Sequence, residues 1–188
     1  MQGKVRVPNP FKVRETNNLE FWVSNLVIIV STVLGVYLAA QAGYRTALDF
    51  ETARGERENY YLRRALLEEV RDNLDQADKF ADFVVDRNGW RFTGTAETYK
   101  LQSYVWETMR QQTTTFQTPP EILTAVRRYY ESARGYADSL ARGQGTAIEA
   151  AKAWREDTKK VRETTLPALE QSIATLRQRL EARGVPLE

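Results

Sequence analysis

The chain has 188 residues, of which 42% are hydrophobic and 28% are charged, a length and composition that suit one folded domain. It contains no cysteine and no histidine. These absences exclude disulfides, thiol nucleophiles, imidazole bases and the common zinc and haem ligands. The net charge is only +2, and the basic excess lies in the first 20 residues. The rest of the chain has no excess charge to attract nucleic acid, so we expect no nucleic-acid partner.

The N-terminal region has the pattern of a membrane anchor. Residues 1–20 form a basic polar tail, and residues 21–44 contain no Asp, Glu, Lys or Arg. About 20 apolar residues in a helix cross a hydrocarbon core of roughly 30 Å. Trp22 and Tyr44 stand at the two ends, where aromatic rings favour the lipid headgroups. The pattern predicts a transmembrane helix over 21–44 that contacts the lipid bilayer.

A cleaved signal peptide is the alternative interpretation of this segment, because Ala39, Ala40 and Ala42 resemble a small-residue cleavage site. The apolar run is longer than a signal peptide's core of about 7–15 residues, so we expect an uncleaved anchor. Basic residues are equally frequent on both sides, and the positive-inside rule does not decide the orientation. Keeping the basic tail inside avoids moving its charges against the membrane potential. We therefore expect a single-pass protein of the bacterial inner membrane, with a cytoplasmic N-terminus and a periplasmic C-terminal domain.

Small side chains recur every four residues along the predicted membrane helix. They are Ser31, Gly35, Ala39 and Gly43, and this spacing places them on one helix face. A face of small residues lets a second helix approach closely in lipid. The alternative is that Gly and Ala are simply common in membrane helices. We favour a helix-packing interface with other membrane-protein subunits.

Residues 45–59 are predicted as a helical connector, and residues 60–188 as a helical domain. After the connector, apolar residues continue at helical spacing as far as a stop at Asn88 and Gly89. The predicted core face of this helix consists of Leu62, Leu66, Val70, Leu74, Ala77, Ala81 and Val84. The charged side chains between them are expected to form a solvated, ion-paired face made of Arg63, Arg64, Glu68, Arg71, Asp72, Asp75 and Asp78.

Two more helices are predicted before residue 142. The second helix covers residues 96–116, with Phe116 facing the core. The third opens at Thr118, whose side chain is expected to cap it, with Pro119 at the first helical position. Its predicted core face consists of Ile122, Val126, Tyr129, Ala133, Tyr136 and Leu140.

The last helix is predicted over residues 146–183. Pro167 should kink it, because a proline ring removes one backbone hydrogen bond and clashes with the preceding turn. Gly184 is expected to end it. The fold class is therefore all-α: one N-terminal transmembrane helix followed by a soluble antiparallel bundle of about four helices.

Candidate chemistry is sparse. Glu68, Glu69 and Asp72 lie close together on one helix, and paired carboxylates can act as acid and base. Neighbouring arginines make an ion-paired surface the favoured interpretation. Gly143 and Gly145 precede a helix and could bind an anion through backbone amides, but a helix–helix turn is favoured there. We expect no catalytic residue, no metal site, no cofactor and no small-molecule substrate, and hence no enzyme.

Aromatic residues are numerous for a small helical domain, and several stand beside arginine. This mixture is typical of protein–protein interfaces. The candidate interface consists of Trp90, Arg91, Arg127, Arg128, Tyr129 and Tyr130.

The residues after the anchor carry a short pattern, Leu-x3-Leu-x2-Glu-Val-x2-Asn. Here it is formed by Leu62, Leu66, Glu69, Val70 and Asn73. The region from the anchor to Leu74 resembles uncharacterised bacterial single-pass membrane proteins that combine an N-terminal anchor with this helix. The resemblance covers about a quarter of the chain and implies no activity.

These features together predict a non-catalytic accessory subunit that stabilises its neighbours in a larger membrane complex. Photosynthetic reaction-centre–antenna complexes and respiratory complexes are the candidate hosts, and the lack of histidine argues against direct pigment or haem ligation. The alternative is a membrane-tethered sensor or signalling module with an extracytoplasmic helical domain.

Overall fold

The structure is a computed structural model, and it describes residues 18–86, 101–141 and 146–187. These residues are almost all helical, and no strand occurs among them, which confirms the all-α class. The chain divides into two compact units, Met1–Asp49 and Phe50–Glu188.

The described part of the first unit belongs to helix α1, which extends from Asn18 to Asp86. An 18-residue window near the start of α1 has a mean hydropathy of 2.1, and none of it is buried. Large apolar side chains such as Leu26 and Ile29 are exposed over more than half of their surface. By length and composition, α1 is the one helix in the described residues that could cross a membrane.

Residues 45–59 are part of α1, so the predicted connector is helical. Within the second unit, α1 buries the predicted core face: Leu66, Val70 and Leu74 are each at most 1% exposed. The helical spacing of the apolar residues therefore identified the core side of α1 correctly. The predicted solvated face is wrong at Arg63, which is buried.

Helix α2 is much shorter than the predicted second helix. It spans Tyr104–Gln111, and a 3₁₀ helix follows over Thr113–Gln117. Gln112 between them is extended, and the three β-branched threonines after it are weak helix formers. The prediction for Phe116 is wrong, since its side chain is 86% exposed. Residues 96–100, where the helix was expected to begin, lie outside the described residues.

Helix α3 spans Pro120–Ala141. It begins one residue later than predicted. The carbonyl of Pro119 accepts hydrogen bonds from the N–H groups of Ile122 and Leu123, at 3.1 and 3.2 Å, which places Pro119 just before the helix. Pro120, not Pro119, is thus the first helical residue, as suits a residue without an N–H. The side chain of Thr118 bonds to α1 and does not cap α3. The predicted core face is confirmed, with Tyr136 only half-buried.

The last helical segment consists of three pieces without a break between them. Helix α4 spans Ala147–Lys160, a π-helical turn spans Val161–Thr165, and helix α5 spans Leu166–Ala182. The irregularity predicted from Pro167 takes the form of this π turn, because proline cannot donate an α-helical hydrogen bond.

The end of α5 agrees with the prediction. Gly184 has a φ of 71°, a conformation that glycine adopts without strain. The N–H of Val185 donates to the carbonyl of Leu180 at 3.0 Å, and that of Gly184 to the carbonyl of Glu181 at 2.9 Å. Together these bonds form a Schellman motif.

One hydrophobic core joins α1, α2, α3, α4, the π turn and the first turns of α5. Trp154 of α4 is 1% exposed; its ring stacks on Tyr136 and meets the edge of Phe80. A smaller cluster of Tyr60, Leu176 and Leu180 packs the end of α5 on α1.

Candidate functional site

A buried arginine links three elements of the second unit. Arg63 of α1 is only 5% exposed. Its Nε donates to Asn59 Oδ1 at 2.8 Å and to Thr118 Oγ1 at 3.1 Å. Its two terminal nitrogens donate to Ser172 Oγ and to the carbonyl of Gln117, both at 2.6 Å. We call these five residues the Arg63 cluster.

The charge of Arg63 is not neutralised within the described residues. All four of its acceptors are neutral groups, and no carboxylate there lies within salt-bridge distance of its guanidinium. Burial, and to a lesser extent the like charge of Arg179, lowers the pKa of Arg63 to about 10. The guanidinium therefore stays protonated at neutral pH. A buried cation without a counter-ion is costly, because desolvation is offset only by hydrogen bonds.

The Arg63 cluster forms part of the wall of a cleft, which we call the Arg63 cleft. Its volume is about 570 Å³. Helix α1, the segment before α3, the first turn of α3 and helix α5 line it. Arg179 of α5 is a second positively charged lining residue, and Glu56 of α1 is a negatively charged one. Glu56 is paired with Arg183, 2.7 Å away.

A second buried polar group, which we call the Glu69 cap, holds the start of α2. The carboxylate of Glu69 is largely buried and accepts the N–H of Val105 at 2.6 Å and the N–H of Trp106 at 3.1 Å. It also accepts the hydroxyl of Tyr130 at 2.6 Å. A carboxylate at a helix N-terminus satisfies free N–H groups and interacts favourably with the helix dipole. Glu69 thus holds the start of α2 on α1 and also bonds to α3 through Tyr130.

Asn73 supports the same region one turn further along α1. Its side-chain oxygen accepts the N–H of Gln102 at 2.9 Å, and its side-chain nitrogen donates to the carbonyl of Gln102 at 2.6 Å. Asn73 is completely buried. The Glu-x3-Asn part of the sequence pattern therefore fixes the chain before α2 on α1.

The other two candidate carboxylates, Glu68 and Asp72, lie on the surface, as predicted. Glu68 pairs with Arg71 at 2.8 Å, and both side chains are well exposed. Arg162 pairs with Asp75 and Asp78 at 2.9 Å each. Exposed ion pairs of this kind contribute little stability, typically about 0–1 kcal/mol.

The predicted helix-packing residues Ser31, Gly35, Ala39 and Gly43 are all exposed on α1. A Cβ atom added at Gly35 or Gly43 would meet no other atom within 4 Å. The described residues of the chain therefore leave this stripe uncovered.

Among the described residues, the predicted protein interface is divided between the surface and the core. Arg127 and Arg128 are exposed, but Tyr129 and Tyr130 are 3% and 1% exposed. The prediction that these two rings form a surface is wrong: Tyr130 stacks on Trp106, with ring centres 5.7 Å apart, and both tyrosines are part of the core. Trp90 and Arg91 lie outside the described residues, as do Gly143 and Gly145.

Sequence reasoning missed the Arg63 cluster, although a signal for it exists. Buried residues of α1 recur at steps of three or four through Leu66, Val70, Leu74, Ala77, Ala81 and Val84, and the same spacing extends back to two buried polar residues, Asn59 and Arg63. Such 3–4 spacing marks the buried line of a packed helix. A charged residue on that line indicates a buried polar cluster.

Comparisons with known proteins found no counterpart. No protein-family model, no curated protein and no solved structure matches the chain.

Proposed function

We propose that this chain is a membrane-anchored, non-catalytic subunit that stabilises a larger membrane protein complex. The observation that carries the proposal is the uncovered apolar stretch of α1, in which no residue of the most apolar window is buried. Such a surface is stable only when lipid or another apolar helix covers it. Residues 21–44 then cross the inner membrane, with the N-terminal tail in the cytoplasm and the helical domain in the periplasm.

In this proposal two regions of the chain contact the neighbouring subunits. Ser31, Gly35, Ala39 and Gly43 provide a face on which another transmembrane helix packs closely. In the second unit, α1 and α3–α5 pack as an antiparallel bundle whose exposed arginines Arg127 and Arg128 are available to a partner. Photosynthetic and respiratory complexes are the candidate hosts.

The test is purification of the full chain from bacterial membranes in mild detergent, followed by mass spectrometry of the proteins that accompany it. We expect a stoichiometric set of membrane proteins with the native chain. The double variant Gly35→Leu/Ala39→Leu should lose that set, because two leucines prevent close helix approach. The control Val33→Leu/Tyr37→Leu changes residues off the stripe and should retain it. A native chain that purifies alone, or a stripe variant with unchanged companions, would contradict the proposal.

A specific observation favours a second candidate function, a membrane-tethered sensor. The Arg63 cleft contains a buried cation, without a counter-ion among the described residues, on α1, the helix that also carries the apolar stretch. A ligand that neutralises this cation would change the stability of the domain attached to the anchor. A sensor would purify without stoichiometric partners, and its protease sensitivity would depend on the ligand.

A further inference from the structure

Two arginine side chains line the Arg63 cleft, and neither has an acidic partner within the described residues. Arg63 is bonded to neutral groups only. Arg179 is exposed and makes no ion pair there. The pKa of Arg63 is lowered first by burial and then by the like charge of Arg179. An anion between them would offset both the repulsion and the desolvation of Arg63.

Arg63 keeps hydrogen-bonding capacity for such an anion. A guanidinium has two N–H groups on each terminal nitrogen, and within the described residues each terminal nitrogen of Arg63 donates only one bond. One N–H therefore remains on each. Bonds from a guanidinium to a carboxylate or phosphate group are charge-assisted and stronger than its bonds to neutral acceptors.

Other features of the cleft also favour negative charge. Pro119 and Ile122 line it at the start of α3, and the N-terminal end of a helix carries a partial positive charge. Among the described residues that line the cleft, Glu56 is the acidic one, and its charge is balanced by Arg183 at 2.7 Å. The cleft thus keeps the net positive charge of Arg63 and Arg179.

We propose that the Arg63 cleft binds an oxyanion, a phosphate or carboxylate group held between the guanidinium groups of Arg63 and Arg179. Arg63 is the fixed recognition residue, because its four bonds to the Arg63 cluster hold its orientation before the anion arrives. Arg179 is the mobile one and closes on the anion from the solvent side. This site goes beyond the subunit function proposed above and does not depend on it.

The experiment measures the unfolding temperature of the full chain in neutral detergent, followed by tryptophan fluorescence. In one arm inorganic phosphate replaces chloride at constant ionic strength. In the other arm the micelles contain anionic dihexanoyl phosphatidylglycerol, with zwitterionic dihexanoyl phosphatidylcholine, whose net charge is zero, as the reference. A saturable rise of about 5–10 °C is expected at a ligand concentration about 100 times the Kd. A rise with phosphate indicates a free oxyanion, and a rise with phosphatidylglycerol alone indicates a lipid headgroup.

Three variants assign the effect to the cleft. Arg179→Gln should weaken the apparent affinity about tenfold, since it removes one charge-assisted contact. Arg63→Gln should abolish the saturable rise. Arg128→Gln, at an exposed arginine outside the cleft, is the control and should behave as the native chain.

Arg179→Gln keeps the test decisive if Arg63→Gln does not fold, because Arg179 is exposed and outside the Arg63 cluster. The proposal is overturned if neither ligand gives a saturable rise in the native chain. It is equally overturned if Arg179→Gln and Arg128→Gln respond alike. These results do not affect which membrane proteins co-purify with the chain in mild detergent. The anion-binding proposal and the subunit proposal can therefore fail separately.

Discussion

Single residues of α1 decide where the neighbouring elements dock. Glu69 is the clearest example, because one carboxylate accepts three hydrogen bonds from two other helices. Val105 and Trp106 belong to α2 and Tyr130 to α3. Charged acceptors of this kind form stronger hydrogen bonds than neutral ones.

Replacement of Glu69 by glutamine should therefore destabilise the protein by about 2 kcal/mol, because the amide presents N–H groups where the carboxylate accepted bonds. Urea unfolding followed by circular dichroism measures this loss. The matched control is Glu68→Gln at the adjacent exposed position, where a change within about 0.5 kcal/mol is expected. Equal losses for the two variants would show that the Glu69 cap does not stabilise the fold.

The buried polar residues also show the limit of prediction from sequence at this scale. Helical spacing identified Leu66, Val70 and Leu74 as core residues, because that signal is local. Arg63 and Glu69 have partners more than 30 residues away, and no local pattern specifies such partners. The sequence analysis therefore placed Arg63 on the solvated face and Glu69 among the candidate acid–base residues. In the structure both residues hold neighbouring elements on α1.

At the scale of elements, α3 and α4 are joined by a polar contact beside an aromatic stack. The hydroxyl of Tyr136 donates to Asp157 Oδ2 at 3.0 Å, and the ring stacks on Trp154. Burial, followed by the hydrogen bond and the negative charge of Asp157, raises the pKa of Tyr136. The protonated hydroxyl thus stabilises the contact between the two helices.

This contact predicts a loss of stability at alkaline pH. The contribution of Tyr136 is complete below the ordinary tyrosine pKa of about 10 and is lost as the pH rises through the raised folded-state pKa. Urea unfolding at about pH 8 and about pH 11 should show a smaller alkaline loss in Tyr136→Phe than in the native chain. Tyr104→Phe, at an exposed tyrosine of α2, should behave as the native chain. The interpretation fails if the two variants lose stability equally.

The ends of helices could be predicted from sequence where glycine or proline determines them. They could not be predicted where contacts with other elements determine them. Gly184 ends α5 and the π turn precedes Pro167, because glycine and proline act on their own backbone. The second helix was predicted too long, because the chain just before Tyr104 is held on α1 by the bonds of Gln102 to Asn73 and is not helical at residues 101–103.

At the scale of the whole molecule, the second unit has the features of an independent domain. Its core includes residues from all five helices, and the core residues all lie after Phe50. The described part of the first unit has no buried side chain, apart from a half-buried Asn25. The sequence predicted an apolar segment followed by a helical domain. The described residues of the structure are helical and include one long apolar stretch near the N-terminus.

A fragment covering residues 50–188 should therefore fold in water without detergent. We expect cooperative thermal unfolding by circular dichroism and a stability of roughly 5–15 kcal/mol. Leu74→Ala in the same fragment, at a fully buried position, should cost about 3 kcal/mol. Gradual unfolding of the fragment, or no effect of Leu74→Ala, would show that the second unit does not fold alone.

The Glu69 cap has a consequence for the order in which the chain folds. Helices shorter than about 12–15 residues are marginal in isolation, and α2 has only eight. Its first turn depends on acceptors that α1 supplies. We therefore expect helix α1 to form before α2 and to serve as its template, so that α2, the shortest α-helix among the described residues, is among the last to become ordered.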